Sequence, residues 1–202
     1  MWAMPRVTAD HMAARRRQIL DAAARCFSRN GFHATSMQDV LAEAGLSAGA
    51  VYRYFPSKEA LIREIASDTI NCLVDSVVAV VRADPPLPLL DALAAILKIT
   101  ESRLDSHFRL ALQAWGEALR NPQLAACIAE RHQQLRMLCV EIAQLARDRG
   151  ELPADSDPEQ AGVVLFSIVI GFMVQNLLTG DSGLGSHLAG FRAVLGATPR
   201  PC

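Results

Sequence analysis

Apolar residues return at three- and four-residue intervals along almost the whole chain, whereas the period-two alternation of a half-buried strand is nearly absent. This pattern predicts an all-α fold of about nine helices. Ile19, Ala23, Cys26 and Phe27 share one face of a first helix ending at about Asn30, with Gly31 as its stop and residues 1–13 as a frayed arm before it. Helices near 36–44 and 48–54 follow, then a longer one from Ser57 to about Arg82 with Glu59 in its first turn. The run Asp84-Pro85-Pro86-Leu87-Pro88 cannot continue a helix. Beyond it the pattern predicts helices near 89–105 and 106–119, and a long one opened by Asn121-Pro122 and ending at Gly150. Asp157-Pro158-Glu159-Gln160 opens another, and a last short helix lies near 184–196.

The segment from Thr35 to Leu61 carries the most specific signal. Met37, Val40, Leu41 and Ala44 give its first helix one buried face, and Thr35 with Gln38 forms a candidate capping box at its start. Gly45 supplies the left-handed residue that ends it. Ser47 caps the next helix, with Leu46 and Val51 placed as a hydrophobic staple, and Phe55-Pro56 stops it after Tyr52, Arg53 and Tyr54. Two short helices around a glycine turn make a helix-turn-helix, for which double-stranded DNA is the leading ligand.

The helix after Pro158 is apolar on every side, from Val163 to Leu178, so two faces need cover. A membrane span, a core helix of a monomer and a helix shared with a second copy are the alternatives. Gln175 and Asn176 interrupt the run and no Lys or Arg flanks it, which argues against the span. The expected arrangement is a homodimer seam made by Val163, Phe166, Ser167, Ile170, Gly171, Val174 and Leu178, with Ser167 and Gly171 spaced for close approach of two backbones.

Composition changes this picture only in detail. The chain has 202 residues, 51% hydrophobic and 20% charged, which excludes a disordered tail. Its net charge of -1 is unevenly spread. Residues 1–64 contain 9 Lys+Arg and 6 Asp+Glu, a surplus of +3, and residues 65–202 contain 11 and 15, a balance of -4. A basic head on an acidic body points the N-terminal part at phosphates. Cys26, Cys72, Cys127, Cys139 and Cys202 show no C-x-x-C spacing and read as reduced thiols of a cytosolic protein. Of the 20 Lys+Arg, 18 are Arg, a bias that suggests a GC-rich bacterial genome, so the expected location is the bacterial cytoplasm, with no membrane partner.

Residues Arg16 to Ile65 resemble the DNA-binding domain of TetR-type transcriptional repressors. The resemblance rests on F-x-x-x-G-F from Phe27 to Phe32, Thr35-Ser36, AGLS from Ala44, G-x-x-Y-x-Y-F from Gly49 and K-E-x-L from Lys58. WGEALRNPQL from Trp115 and the later GELPADSDPE resemble, more weakly, the ligand-binding body of such regulators. The resemblance implies a head of residues 1–62 and a helical effector-binding and dimerisation domain of residues 63–202. It implies DNA contacts from Thr35, Ser36, Ser47, Ala48, Gly49, Tyr52, Arg53, Tyr54 and Lys58. Thr35, Ser36 and Lys58 would grip the phosphate backbone, and Arg53 suits guanine O6 and N7. Ala48, Ala50 and Leu41 depart from the common pattern, which leaves the operator sequence open.

The expected function is repression by a homodimer on a near-palindromic operator, relieved by a small-molecule effector, with the helix from Ser57 to Arg82 as the lever. Candidate effector-pocket residues are Arg103, His107, Phe108, Trp115, His132, Phe166 and Met173, apolar groups with a few polar anchors. A DNA-binding factor without an effector is the alternative. No nucleophile elbow, P-loop, H-E-x-x-H or dinucleotide fingerprint is present, so no enzyme, cofactor or metal site is expected.

Overall fold

The computed structural model describes residues 9–102, 107–180 and 183–196. Among the described residues there are nine helices and no strand. They are α1 (Ala9–Ala34), α2 (Met37–Ala44), α3 (Ala48–Tyr52), α4 (Lys58–Val81), α5 (Leu89–Glu101), α6 (His107–Ala118), α7 (Pro122–Asp148), α8 (Pro158–Thr179) and α9 (Leu184–Gly196).

Helix ends follow the local chemistry of the sequence, with two corrections. Residues 9–13, expected as part of an arm, are the first turns of α1; the rest of the arm lies outside the described residues. The second correction is one of register. The cap of α2 is Ser36, not Thr35, and its partner is Asp39, not Gln38. Ser36 Oγ accepts from the Asp39 N–H at 3.2 Å, and Asp39 Oδ2 accepts from the Ser36 N–H at 2.8 Å. Gly31 (φ 80) breaks α1 where expected. Gly45 (φ 66) ends α2 in a Schellman motif, with Leu46 N–H donating to Leu41 O. Asn121 and Asp157 cap α7 and α8, each followed by a first-turn proline.

The head, α1–α3 with the start of α4, closes over Ile19, Phe27, Val40, Val51, Phe55 and Leu61, all but inaccessible to solvent. Phe32 stands edge-on to Phe27 at 4.9 Å. The body packs α5, α7 and α8 around Leu93, Leu97, Cys139, Ile142, Leu165, Val169 and Phe172. α4 belongs to both: it runs unbroken through the expected boundary at residue 62, and its buried residues from Leu61 to Val81 join the two cores into one cluster.

The proline-rich crossing between α4 and α5 is fastened to the end of α7. Arg149 donates to Pro86 O at 2.8 Å and Leu87 O at 2.7 Å, and pairs with Glu151 at 2.8 Å. Glu151 in turn accepts from the Leu89 N–H at 2.6 Å. Pro88 offers α5 no side-chain cap, so a carboxylate from 62 residues away takes that place at the positive end of the helix.

Candidate nucleic-acid interface

The outward face of the helix-turn-helix is built by burying one residue and baring its neighbours. Val51 is fully buried and seats α3 on the head core, which leaves Ser47, Ala48, Gly49, Tyr52 and Arg53 exposed. Ser47 Oγ accepts from the Ala50 N–H at 3.4 Å and fixes the start of α3. Tyr52 is 46% exposed despite its large apolar ring. Tyr54 lies past the end of α3, half-buried against the core, so it is less available than Tyr52. Gly49 is the informative member. A Cβ there would meet nothing within 4 Å, and its φ is not in the left-handed region, so nothing inside the protein requires glycine.

Three of the expected phosphate contacts are already engaged within the chain. Thr35 is 1% exposed, and its hydroxyl donates to Gly31 O at 2.8 Å and approaches Cys26 O at 3.3 Å. It braces the α1–α2 corner, which its expected role as a phosphate contact overlooks. Lys58 Nζ donates to Phe32 O at 2.9 Å and Thr35 O at 3.1 Å, holding the same corner from α4. Ser36 is exposed, but its hydroxyl donates to Asp39 Oδ2 at 2.7 Å. The amides of Met37 and Gln38, in the first turn of α2, remain outside the helix ladder.

Charges around the head hold its helices together. Glu43 receives Arg25 at 2.7 Å and Arg29 at 2.6 Å. The Arg25 and then the Arg29 hydrogen bond hold its carboxyl below the usual range. The Ser36 amide does the same for Asp39, helped by the Ser36 hydroxyl. Arg16, one of the three consecutive arginines, pairs with Glu64 of α4 and lies over the Phe55 ring, 5.2 Å from its centroid. Burial, and then the neighbouring Glu64, raises the Asp68 carboxyl.

The expected effector residues divide. Trp115, His132 and Phe166 come together as an edge-to-face chain with centroid separations of 5.2 and 5.6 Å. Burial lowers the His132 pKa and so favours its neutral ring, and among the described residues the buried Trp115 indole N–H has no acceptor. Phe108 and Met173 are instead fully packed core residues. Arg103 and the His107 side chain lie outside the described residues. A separate open groove of about 1050 Å³ runs between α4 and α7, lined by Val74, Val78, Met137 and Leu138 with Asp75, Glu130 and Glu141. Gln133, a further candidate polar anchor, lines it, whereas Phe108, Trp115, His132, Phe166 and Met173 do not.

α8 presents two faces. Leu165, Val169, Phe172 and Met173 turn inward, while Val163 (42% exposed), Val164, Ser167 and Leu178 (76% exposed) face out. Ile170, Gly171 and Val174 sit between them, and Phe166 turns toward His132. By length and composition α8 is apolar enough to cross a membrane, although a third of its most apolar window is buried in the protein's own core. Close backbone approach does occur on this helix, at a position the sequence reading missed. A Cβ on Gly162 would lie 2.5 Å from Val140 Cγ2 and 2.7 Å from Val140 Cα, so α7 and α8 touch there. Gly171 faces open space.

Two further contacts were not anticipated because they join residues far apart in sequence. Gln113 Oε1, on α6, accepts from the Phe32 N–H at 3.1 Å, and Glu117 lies 3.4 Å from His33 Nε2. Among the described residues no three His, Cys, Asp or Glu side chains gather as metal ligands would.

Comparisons with known proteins agree with this architecture. Residues 19–65 match the family described as bacterial regulatory proteins, tetR family, and residues 89–189 match the C-terminal domain of BetI-type transcriptional repressors. The chain is 32% identical to the HTH-type transcriptional repressor Rv1474c of Mycobacterium tuberculosis, over 75% of this chain and 79% of that protein. The solved structure of Salmonella enterica GusR superposes with a TM-score of 0.75 at 28% identity, covering 94% of this chain and 96% of GusR. A SmeT–triclosan complex shares the fold with a TM-score of 0.74 at 22% identity, covering 94% of this chain and 99% of SmeT.

Proposed function

The chain belongs to the TetR family of bacterial transcriptional regulators, and from that premise we propose that it is a homodimeric repressor released from DNA by a small molecule. Two copies place their α3 helices in successive major grooves, about 34–36 Å apart, on a near-palindromic operator. The protein works in the bacterial cytoplasm and performs no catalysis.

The observation that carries this reading is the bare face of α3. Gly49 lies in the first turn of α3 with an ordinary φ and open space around its Cα, so it has no internal reason to be glycine. A surface that must come close to another backbone supplies one. Beside it Tyr52 offers a phenolic donor to a phosphate and Arg53 a guanidinium to a guanine edge. The α2 amides of Met37 and Gln38 are the remaining phosphate donors at that corner; Thr35 and Lys58 act by shaping it.

The exposed apolar strip of α8 supports self-association through Val163, Ser167, Gly171, Val174 and Leu178, since a strip of this kind is seldom left to water. The edge-to-face cluster of Trp115, His132 and Phe166, with an indole N–H that no described residue accepts, supports an effector that is aromatic and carries a hydrogen-bond acceptor. The triclosan complex of SmeT, a protein of the same fold, supports a small-molecule ligand in the body.

Selection of bound duplexes from random DNA tests the proposal. An enriched inverted repeat is expected, with affinity that falls steeply with salt and is relaxed in specificity by Arg53→Ala. Failure to bind any duplex at low salt, or sedimentation as a monomer at micromolar concentration, would overturn it.

A further inference from the structure

The residue after the Gly31 break, Phe32, has both its backbone groups held by side chains from other helices. Its C=O accepts from Lys58 Nζ of α4 at 2.9 Å, and its N–H donates to Gln113 Oε1 of α6 at 3.1 Å. The Phe32 ring is buried against Phe27, so the residue cannot swing away to find water instead. A second α6 residue, Glu117, meets His33 one position on. Downstream of Phe32 the corner passes through buried Thr35 into Ser36, the cap of α2, and α2 is tied to α3 by the Gly45 turn.

We propose that Gln113 is a positioning residue for DNA binding: its carbonyl oxygen, by holding the Phe32 amide, fixes the α1–α2 corner and the recognition helix behind it to α6 of the body. The clause about DNA rests on the function proposed above; the contact itself does not. The chemistry is that of a neutral acceptor meeting a partly buried N–H that has left the helix ladder at a left-handed glycine. Such a donor without a partner is costly, so the head settles where the α6 side chain can reach it. α6 also carries Trp115, whose indole meets His132 edge to face in the body. A shift of α6 along its axis therefore moves an aromatic contact in the body and the acceptor for the head together, on one rigid element only two residues apart.

The test uses the full-length chain and two variants. Gln113→Met keeps the length and apolar stem but has no oxygen; Gln113→Glu keeps an oxygen at the same reach. Amide hydrogen exchange is read at Phe32 by NMR, with operator affinity measured on a selected duplex. Expected is at least a tenfold loss of Phe32 protection in Gln113→Met with protection elsewhere in α1 retained, recovery in Gln113→Glu, and weaker operator binding by Gln113→Met alone. Should Gln113→Met fail to fold, Gln113→Asn, shorter by one carbon–carbon bond of about 1.5 Å, carries the same expectation. Unchanged Phe32 protection in the folded variant, or equal loss in Gln113→Glu, would overturn the assignment. If every form including the parent ignores DNA while Phe32 protection responds as stated, the contact stands and the DNA reading falls.

Discussion

Replacing Gly162 by alanine is the sharpest test of how the body is packed. The added methyl would lie 2.5 Å from Val140 Cγ2 and 2.7 Å from both Val140 Cα and N. Carbon–carbon contacts settle near about 3.5–4.0 Å, so α7 and α8 must separate by about 1 Å. A side chain can rotate out of such a clash, but the Val140 backbone belongs to a 27-residue helix and cannot. Overpacking of this sort costs about 1–3 kcal/mol, and the gain from removing a helical glycine returns up to about 1 kcal/mol. A net loss of about 1–2 kcal/mol corresponds to a fall in melting temperature of about 2–8 °C for a chain of this size. Calorimetry at one fixed protein concentration reads it, because the proposed self-association would make the midpoint concentration-dependent. Gly171→Ala is the matched comparison: the same helix, nothing within 4 Å to meet the methyl, and no loss of protomer stability expected. A Gly162→Ala melting temperature equal to or above that of the parent would refute the close approach of α7 and α8.

Other expectations follow from single groups. Thr35→Val keeps the shape but leaves the Gly31 carbonyl without its 2.8 Å donor, so the urea midpoint should fall by the equivalent of about 1–2 kcal/mol; an unchanged midpoint contradicts the bracing role. A Cβ at Gly49 meets no protein atom within 4 Å, so Gly49→Ala should leave stability intact while operator affinity drops at least tenfold; retained affinity would put DNA elsewhere. Asp39 and Glu43 have lowered folded-state pKa values, so the stability they supply is complete above the unfolded carboxylate range, about 4, and is lost as pH falls through the lower folded values. Acid unfolding curves should therefore flatten in the Asp39→Asn, Glu43→Gln double variant, and a curve unchanged in slope would count against both partnerships. Burial pushes the Cys139 thiol up to about 12, so iodoacetamide at pH 8 should spare it in the native protein and modify it in urea, read by peptide mass spectrometry.

What the sequence made legible was local. Asn121-Pro122, Asp157-Pro158, Gly45 and Gly150 set helix ends through bonds that span two to five residues, and each sits where its chemistry requires. The α2 cap slipped by one because Thr35-x-x-Gln38 and Ser36-x-x-Asp39 both satisfy the same pattern, and only the buried side of Thr35 separates them. α8 was recognisable as two-faced, but a helix apolar all round carries no sign of its rotation. The sequence therefore could not show that Gly162 meets α7 while Gly171 faces out. Lys58, Gln113 and Glu151 escaped for another reason. Each bonds a backbone group 23 to 81 residues away, and no spacing rule reaches that far. Phe108 and Met173 read as pocket lining because composition cannot separate a cavity wall from a packed core.

The unbroken α4 has a mechanical consequence. Its 24 residues make a strut of about 36 Å, with one end embedded beneath the head and the other beneath α5. Over that length a tilt of about 5° displaces the far end by about 3 Å, close to the rise of one base pair (about 3.4 Å). In the proposed dimer, a tilt of that size would put the two heads out of step with the double helix by about one base pair.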